Sequence, residues 1–368
     1  MYTYETLCSD IGKLQQYGDI IHVKTLCKTV LGREVDIIKI GNGKKRVLYV
    51  GAHHGMEYIT SALIMDFAFA LCGLIGRGEN RFCRVINAAS GKRIWEKYCF
   101  YLIPMLNPDG VTICCEGPEK ALAYCDTKQK TEYGRVLKKA AEMTLEYGTG
   151  DVTDISLKSR FSSEKDVFKK WQANGRGVDL NHNYQSGFAE YKSLELKSGR
   201  IYPSPTRFSG AYPESEPESS ALCSLIRASE VSLLLTFHSQ GKELYGNDFF
   251  SGGNTRDYIF SRSGCDPLAE VKEDGTGVDI LRRTLDGYRL KNKERSVGRF
   301  LEKESGYARS VPTGAAAYGG LTDWYTEEFR RAAYTVEVGH GSNPLPMSML
   351  DEIKKDLLYP MLTAPTLL

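Results

Sequence analysis

Val231-Ser232-Leu233-Leu234-Leu235-Thr236-Phe237 is followed at once by His238. The run is short for a helix and apolar almost throughout, the pattern of an interior parallel strand buried on both faces. Read that way, it commits the chain to an α/β sheet and sets an imidazole at a strand's carboxyl end. Upstream, Glu214-Ser215-Glu216-Pro217-Glu218 predicts a helix start, with Ser215 as the N-cap and acids in the first turn. Downstream, Lys291 to Glu304 reads as a helix ending at Gly306, and Tyr334-Thr335-Val336-Glu337-Val338 as another β-branched strand. Nearer the start come a helix, Tyr4 to Tyr17, and two strands, Glu34-Ile40 and Arg46-Gly51. Gly41-Asn42-Gly43 between them predicts a hairpin. Ile59 to Leu74 is apolar all round and predicts a buried helix. A strand from Lys97 to Pro104 runs into Asn107-Pro108-Asp109-Gly110, which reads as a turn. Residues 111–170 are polar and irregular, with a helix from Tyr133 to Tyr147, and read as an insertion or lid. Strands alternate with helices throughout, so the expectation is a single domain over residues 1–368, a mixed α/β sheet with helices on both faces.

Composition narrows the function. The 368 residues carry 48 basic and 46 acidic side chains, a formal charge of +2, with 26% charged and 42% hydrophobic residues. That balance argues against disorder and against a nucleic-acid-binding surface. The longest apolar run, Ser61 to Ile75, is interrupted by Asp66 and Gly73 and falls short of the roughly 18 uninterrupted residues of a membrane span. The first twenty residues are charged and Tyr-containing and do not resemble a secretion signal. Ten cysteines without a CxxC pair suit reduced thiols better than a disulfide scaffold or a thiolate zinc cluster. The expected location is cytoplasmic, with neither membrane nor nucleic acid as a partner.

Of six histidines, most follow strands in short polar or glycine-rich segments. In His54-Gly55-Met56-Glu57 an imidazole and a carboxylate lie three residues apart in a turn, close enough to bind one ion. With His238 the set is two His and one Glu, which suits a catalytic zinc whose fourth position stays open to water or substrate. By spacing alone, a solvated loop histidine beside an acid is the alternative.

Further segments occur in the same chain: Gly51-Ala52-His53-His54-Gly55-Met56-Glu57, Asn107-Pro108-Asp109-Gly110, Arg176-Gly177-Val178-Asp179-Leu180-Asn181, Ser215-Glu216-Pro217-Glu218, Phe237-His238-Ser239-Gln240-Gly241 and Thr335-Val336-Glu337-Val338-Gly339. In this order they resemble the metallocarboxypeptidase (M14) family from about Tyr2 to Leu350. The His-Ser-Gln-Gly and Asn-Pro-Leu-Pro segments look most like its bacterial γ-D-glutamyl-L-diamino acid endopeptidase branch. The resemblance implies a mostly parallel, twisted mixed sheet of about eight strands and one zinc ion (Zn2+) per chain. It implies His54, Glu57 and His238 as ligands and Glu337 as the catalytic carboxylate. Asp179 then orients the first histidine, and Asn181, His182, Arg176, Tyr318 and Thr322 bind substrate. His53 competes with His54, but the motif aligns on His54. His340, three residues after Glu337, is read as structural or as part of the cleft.

The chain departs from that pattern in three places. His182 stands where digestive-type members have an arginine for the terminal carboxylate, and it lacks the bidentate fork. Gln172 occupies the place of the arginine that polarises the scissile carbonyl, leaving Arg176, Lys170 or Arg207 as substitutes. Tyr318 sits beside Gly319-Gly320, where an ungapped match gives Ala315 instead. The leading expectation is Glu-assisted zinc hydrolysis of an amide in a small peptide, plausibly a muropeptide. A carboxypeptidase, an amidase or deacylase, and a zinc-holding peptide binder without catalysis are the alternatives.

Overall fold

The computed structural model describes residues 1–82, 84, 86, 88–148, 161–198, 201–246, 292–310 and 318–368. Ala315, Lys291 and the segment 251–290 lie outside the described residues. Among the described residues eight strands form one sheet: β1 (Ile21–Lys28), β2 (Glu34–Ile40), β3 (Lys45–Gly51), β4 (Tyr98–Ile103), β5 (Val231–His238), β6 (Glu243–Tyr245), β7 (Ala308–Ser310) and β8 (Ala332–Glu337). Their order is β1-β2-β4-β3-β5-β8-β6-β7. The centre, β4-β3-β5-β8, is parallel; β1 and β2 are antiparallel at one side, and β6 runs antiparallel to β8 at the other.

The longer helices are α1 (Tyr4–Leu14), α2 (Ile59–Arg77), α3 (Ala88–Lys97), α4 (Pro108–Glu116), α5 (Thr127–Tyr147), α6 (Phe188–Lys197), α7 (Pro217–Ala228), α8 (Asn292–Ser305), α9 (Leu321–Phe329) and α10 (Leu350–Thr363). Alternate residues of each central strand face opposite sides, as a pleat requires. Val47, Tyr49, Leu233, Leu235 and Val336 join α1, α2, α8 and α10 in one core, while Leu48, Val50, Leu234 and Ala333 join α7 and α9 in the other. Full burial of each such apolar side chain contributes about 1.5–3 kcal/mol. Tyr49 knots the first core: its ring meets Phe67, Phe100 and Phe237 edge-on, and its hydroxyl donates to the Met361 carbonyl at 2.5 Å. By length and hydropathy the helix over Gly55–Arg77 could cross a membrane, but 78% of its apolar window is buried inside the protein, which makes it a core helix here.

The expected hairpin between β2 and β3 does not form. β4 lies between them, antiparallel to β2 and parallel to β3. The glycines of Gly41-Asn42-Gly43 serve close backbone approach: a β-carbon on Gly43 would fall 1.9 Å from the Lys97 carbonyl carbon. Asn107-Pro108-Asp109-Gly110 begins α4, with the Asn107 side chain accepting the Gly110 N–H at 2.8 Å and Pro108 in the first turn. The cap position of α7 is held by Glu216, one residue past the expected Ser215. α5 starts at Thr127, ahead of Tyr133, behind an Asp126/Gln129 capping box. Strand β1 was not expected at all.

What the sheet does for the site is a matter of level. Gly51 pairs with Phe237, and His238 with Glu337. The carboxyl ends of β3, β5 and β8 therefore open side by side, the usual place for a ligand crevice in a parallel sheet.

Candidate metal centre

Three side chains from two strand ends converge. His54 and Glu57 sit in the turn between β3 and α2, and His238 closes β5. Their ligating atoms all lie within 4.8 Å of one another. His54 Nδ1 is 3.0 Å from Glu57 Oε1 and 3.3 Å from His238 Nδ1, and Glu57 Oε2 is 3.0 Å from His238 Nδ1. That last approach lacks hydrogen-bond geometry, since Glu57 Oε2 has no hydrogen-bond partner among the described residues. Glu57 and His238 are buried, and His54 is half-buried.

A second layer sets the orientation. Asp179 Oδ1 takes the His54 Nε2 proton at 3.2 Å, which leaves Nδ1, the nitrogen beside Glu57 and His238, as the atom the ring can offer a metal. Asp179 Oδ2 accepts the Arg207 N–H at 2.8 Å. Gly55 donates to the Gln172 carbonyl at 2.9 Å, and a β-carbon on it would fall 2.3 Å from Gly110, so the turn needs glycine for close approach. Asn107 Nδ2 donates to the carbonyls of His53, Gln172 and Ala173 at 2.9–3.1 Å, clamping the β3 turn to the loop that carries Asp179. His53 turns away from the ligand atoms. It stacks on His238 at 5.1 Å and shares a 3.1 Å hydrogen bond with the Tyr184 hydroxyl.

Titration behaviour follows from this crowding. Burial opposes the charged form of His54, but the Glu57 and Asp179 carboxylates outweigh it and hold the pKa well above the ordinary value. Burial likewise opposes ionisation of Glu57, yet the two histidines bring it down to about 2. Asp179 is lowered too: burial works against its charge, and His54 and His182 overcome it. His53 is pushed well below the usual imidazole range by burial and then by its two histidine neighbours. Glu337, level with His238 on the adjacent strand and opposite Glu243 on β6, is raised well above the usual carboxylate range by burial, with Glu57 and Glu243 adding to it and His54 opposing. Two imidazole nitrogens and a carboxylate oxygen, each aimed at the same point and one histidine locked in the ligating tautomer, are the donor set of a zinc site with an open fourth position, so the residues fit that ion.

The other expected site residues divide. Thr322 Oγ1 lies 3.1 Å from Thr335 Oγ1, which receives the Thr236 hydroxyl at 3.1 Å; Thr236 and Thr335 each precede a site residue by two and so share its side of the sheet. Asn181 is next to the cluster, its N–H donating to Asp179 Oδ1 at 3.2 Å. Three expected substrate groups point elsewhere. Arg176 Nη1 is 3.7 Å from Glu216 Oε2, and Tyr133 is a further partner. His182 stacks on Tyr191 at 4.1 Å and donates from Nδ1 to the Tyr318 carbonyl at 2.7 Å; a carbonyl carries no proton, so the ring must supply it. Burial lowers the His182 pKa in spite of Asp179, leaving a neutral ring whose Nε2 is an acceptor. Tyr318 is 4% exposed and packs with Tyr191. Gln172 receives the Thr206 hydroxyl, Lys170 lies over the Phe161 ring, and His340 is exposed near Glu352.

Sequence reasoning overlooked Tyr184, Thr206, Thr335 and the clamping role of Asn107. Strand alternation could have found Thr335; the others depend on contacts between distant loops.

A family model described as zinc carboxypeptidase matches residues 8–359. The gamma-D-glutamyl-L-diamino acid endopeptidase 1 of Lysinibacillus sphaericus is 26% identical over 364 residues, 97% of this chain and 70% of that protein. Bovine thrombin-activatable fibrinolysis inhibitor, solved with a tick carboxypeptidase inhibitor, superposes with a TM-score of 0.56 at 15% identity over 99% of this chain and 96% of that one. Carboxypeptidase A from Helicoverpa armigera gives 0.56 at 15%, over 99% and 72%. At such identity the structural likeness speaks for the fold.

Proposed function

The chain belongs to the zinc carboxypeptidase family, and from that premise we propose that it hydrolyses the amide between a γ-D-glutamyl residue and a diamino acid in small peptidoglycan-derived peptides, as an endopeptidase. The observation that carries this reading is the state of His182 and Arg176. A peptidase that removes single C-terminal residues needs a cation for the terminal carboxylate, ideally a bidentate one. Here the histidine is neutral, stacked and already donating to Tyr318, and Arg176 leans on Glu216. The Lysinibacillus sphaericus relative, a gamma-D-glutamyl-L-diamino acid endopeptidase, points the same way. A cytoplasmic location, proposed from ten cysteines that form no CxxC pair and read as reduced thiols, would suit recycling of such peptides.

In the proposed mechanism His54, Glu57 and His238 hold the metal, and Asp179 keeps His54 in its ligating tautomer. Zinc bound there supplies Lewis acidity and lowers the pKa of water. Glu337, paired with His238 on the adjacent strand, would take a proton from the attacking water and return it to the leaving nitrogen as the carbon–nitrogen bond breaks.

Digestion of L-Ala-γ-D-Glu-meso-diaminopimelate peptides, with mass detection and a chelated control, tests the reading. Cleavage between glutamate and diaminopimelate that stops with chelator is expected. Free amino acids released from ordinary unblocked peptides, with those muropeptides left intact, would replace it with a carboxypeptidase.

A further inference from the structure

We infer that Arg207 is a positioning residue that acts through its backbone, its left-handed conformation aiming a main-chain N–H at the carboxylate that orients His54. Arg207 has φ +66°, a region that side-chain-bearing residues seldom occupy and that tends to persist at functional sites. Two hydrogen bonds to the same aspartate flank it. The Arg207 N–H donates to Asp179 Oδ2 at 2.8 Å, and the Asp179 N–H donates to the Phe208 carbonyl at 2.7 Å. Rotating Arg207 about its N–Cα bond to a negative φ turns its own N–H relative to the Phe208 carbonyl, so both bonds cannot survive the rotation.

The loop is pinned on either side of that residue. The Pro205 carbonyl accepts the N–H groups of Gln172 and Ala173, both at 2.9 Å, and the Tyr191 hydroxyl donates to the Arg207 carbonyl at 2.8 Å. Thr206 gives its hydroxyl proton to Gln172 Oε1. These contacts hold the strained residue in place, and the strained residue holds one oxygen of Asp179 while the other oxygen takes the His54 proton at 3.2 Å. Losing the Arg207 contact leaves Oδ2 only the 3.5 Å approach of the Thr206 hydroxyl, so the carboxylate, still held at Oδ1 by the Asn181 N–H, is loosened and with it the imidazole. The inference concerns the metal site alone and does not depend on the substrate proposed above.

The test compares Arg207→Gly with Arg207→Val in the full chain, reading the zinc dissociation constant by chelator competition and the His54 Nε2–H, donated to Asp179, by nitrogen NMR of the metal-free protein. Glycine adopts the left-handed backbone freely and keeps the N–H, whereas β-branched valine resists it. The expected result is a loss of zinc affinity of about 10- to 100-fold for Arg207→Val, the range seen when such outer partners are removed, with Arg207→Gly close to wild type. The His54 Nε2–H signal should persist in the Gly variant, as expected for a proton held by Asp179, and be lost to solvent exchange in the Val variant. Equal losses in both variants would assign the role to the guanidinium and overturn the inference, as would unchanged affinity in Arg207→Val. If Arg207→Val does not fold, Tyr191→Phe removes only the hydroxyl on the Arg207 carbonyl. A several-fold weaker zinc site supports the inference, and an unchanged one overturns it.

Discussion

Two buried charge clusters lie near the start of α4, and they are built differently. At Arg33 and Asp109, both completely buried, the carboxylate accepts from Thr29 Oγ1 at 2.9 Å, the Leu31 N–H at 3.0 Å and Arg33 Nη1 at 3.3 Å, while the guanidinium also donates to the carbonyls of Lys120 and Ala121. Donors face acceptors, and the oxygens of Asp109 are used up. At His54, Glu57 and His238 three groups that can each give a metal an electron pair crowd together at 3.0–3.3 Å, and buried Glu57 Oε2 lacks a hydrogen-bond partner among the described residues. The first cluster, whose carboxylate oxygens are all used although Arg33 Nε lacks a partner among the described residues, fastens the β1–β2 connection to α4; the acceptor-rich one is completed by a cation. Burial and charge alone do not separate the two; the direction of the lone pairs does.

The largest effect expected from this contrast is at Glu337, which faces the acceptor-rich cluster without joining it. Glu337→Gln keeps the shape and removes the proton carrier. Turnover should fall by about 100- to 10,000-fold while metal analysis still finds close to one zinc per chain. A variant that loses its zinc would make Glu337 part of the ligand set, and one that stays active would remove it from the chemistry.

The first cluster should answer to pH through stability. Burial pushes Asp109 up to about 6, although Arg33 and the hydrogen bonds from Leu31 and Thr29 pull it down. An unfolded aspartate titrates near 3.9, so between roughly pH 4 and 6 the folded state binds more protons than the unfolded one. Stability from this group is therefore greatest below pH 4 and declines as pH rises to 6, by about 3 kcal/mol in all. Urea unfolding of wild type and Asp109→Asn at matched pH isolates the slope, because the metal cluster titrates in both. A difference between the two proteins that stays constant from pH 4 to 7 would mean that Arg33 fully compensates the buried carboxylate.

How much of this was legible depends on the distance over which a residue is positioned. His238 and Glu337 end strands whose apolar runs are local, and His54 and Glu57 share one turn, so pattern and motif reach them together. The sheet centre could be read for the same reason. The β2–β3 hairpin could not, because Gly41-Asn42-Gly43 is compatible with a tight turn and nothing local announces that β4, some fifty residues later, will enter between the strands. Asn107 reads as a turn residue, yet its weight lies in three carbonyls from two other segments. The recognition residues were hardest. Arg176, His182 and Tyr318 lie on long connections whose partners, Glu216, Tyr191 and each other, are set by tertiary packing.

The smallest expected effect is at His182, and it tests whether the cleft recognises a terminal carboxylate at all. If the ring is a packing element, His182→Phe keeps the stack on Tyr191 and loses one hydrogen bond to the Tyr318 carbonyl, at a cost of about 1 kcal/mol in stability. Paired peptides that differ only in a free or amidated carboxyl terminus should then give a kcat/KM ratio that the substitution leaves unchanged. The neutral ring has no second proton to offer a carboxylate, and lowering the pH to supply one works against both its burial and its donation to Tyr318. Were wild type instead to favour the free carboxylate strongly, with the preference gone in His182→Phe, the ring must swing out to bind substrate, and the endopeptidase reading would lose the observation that carries it.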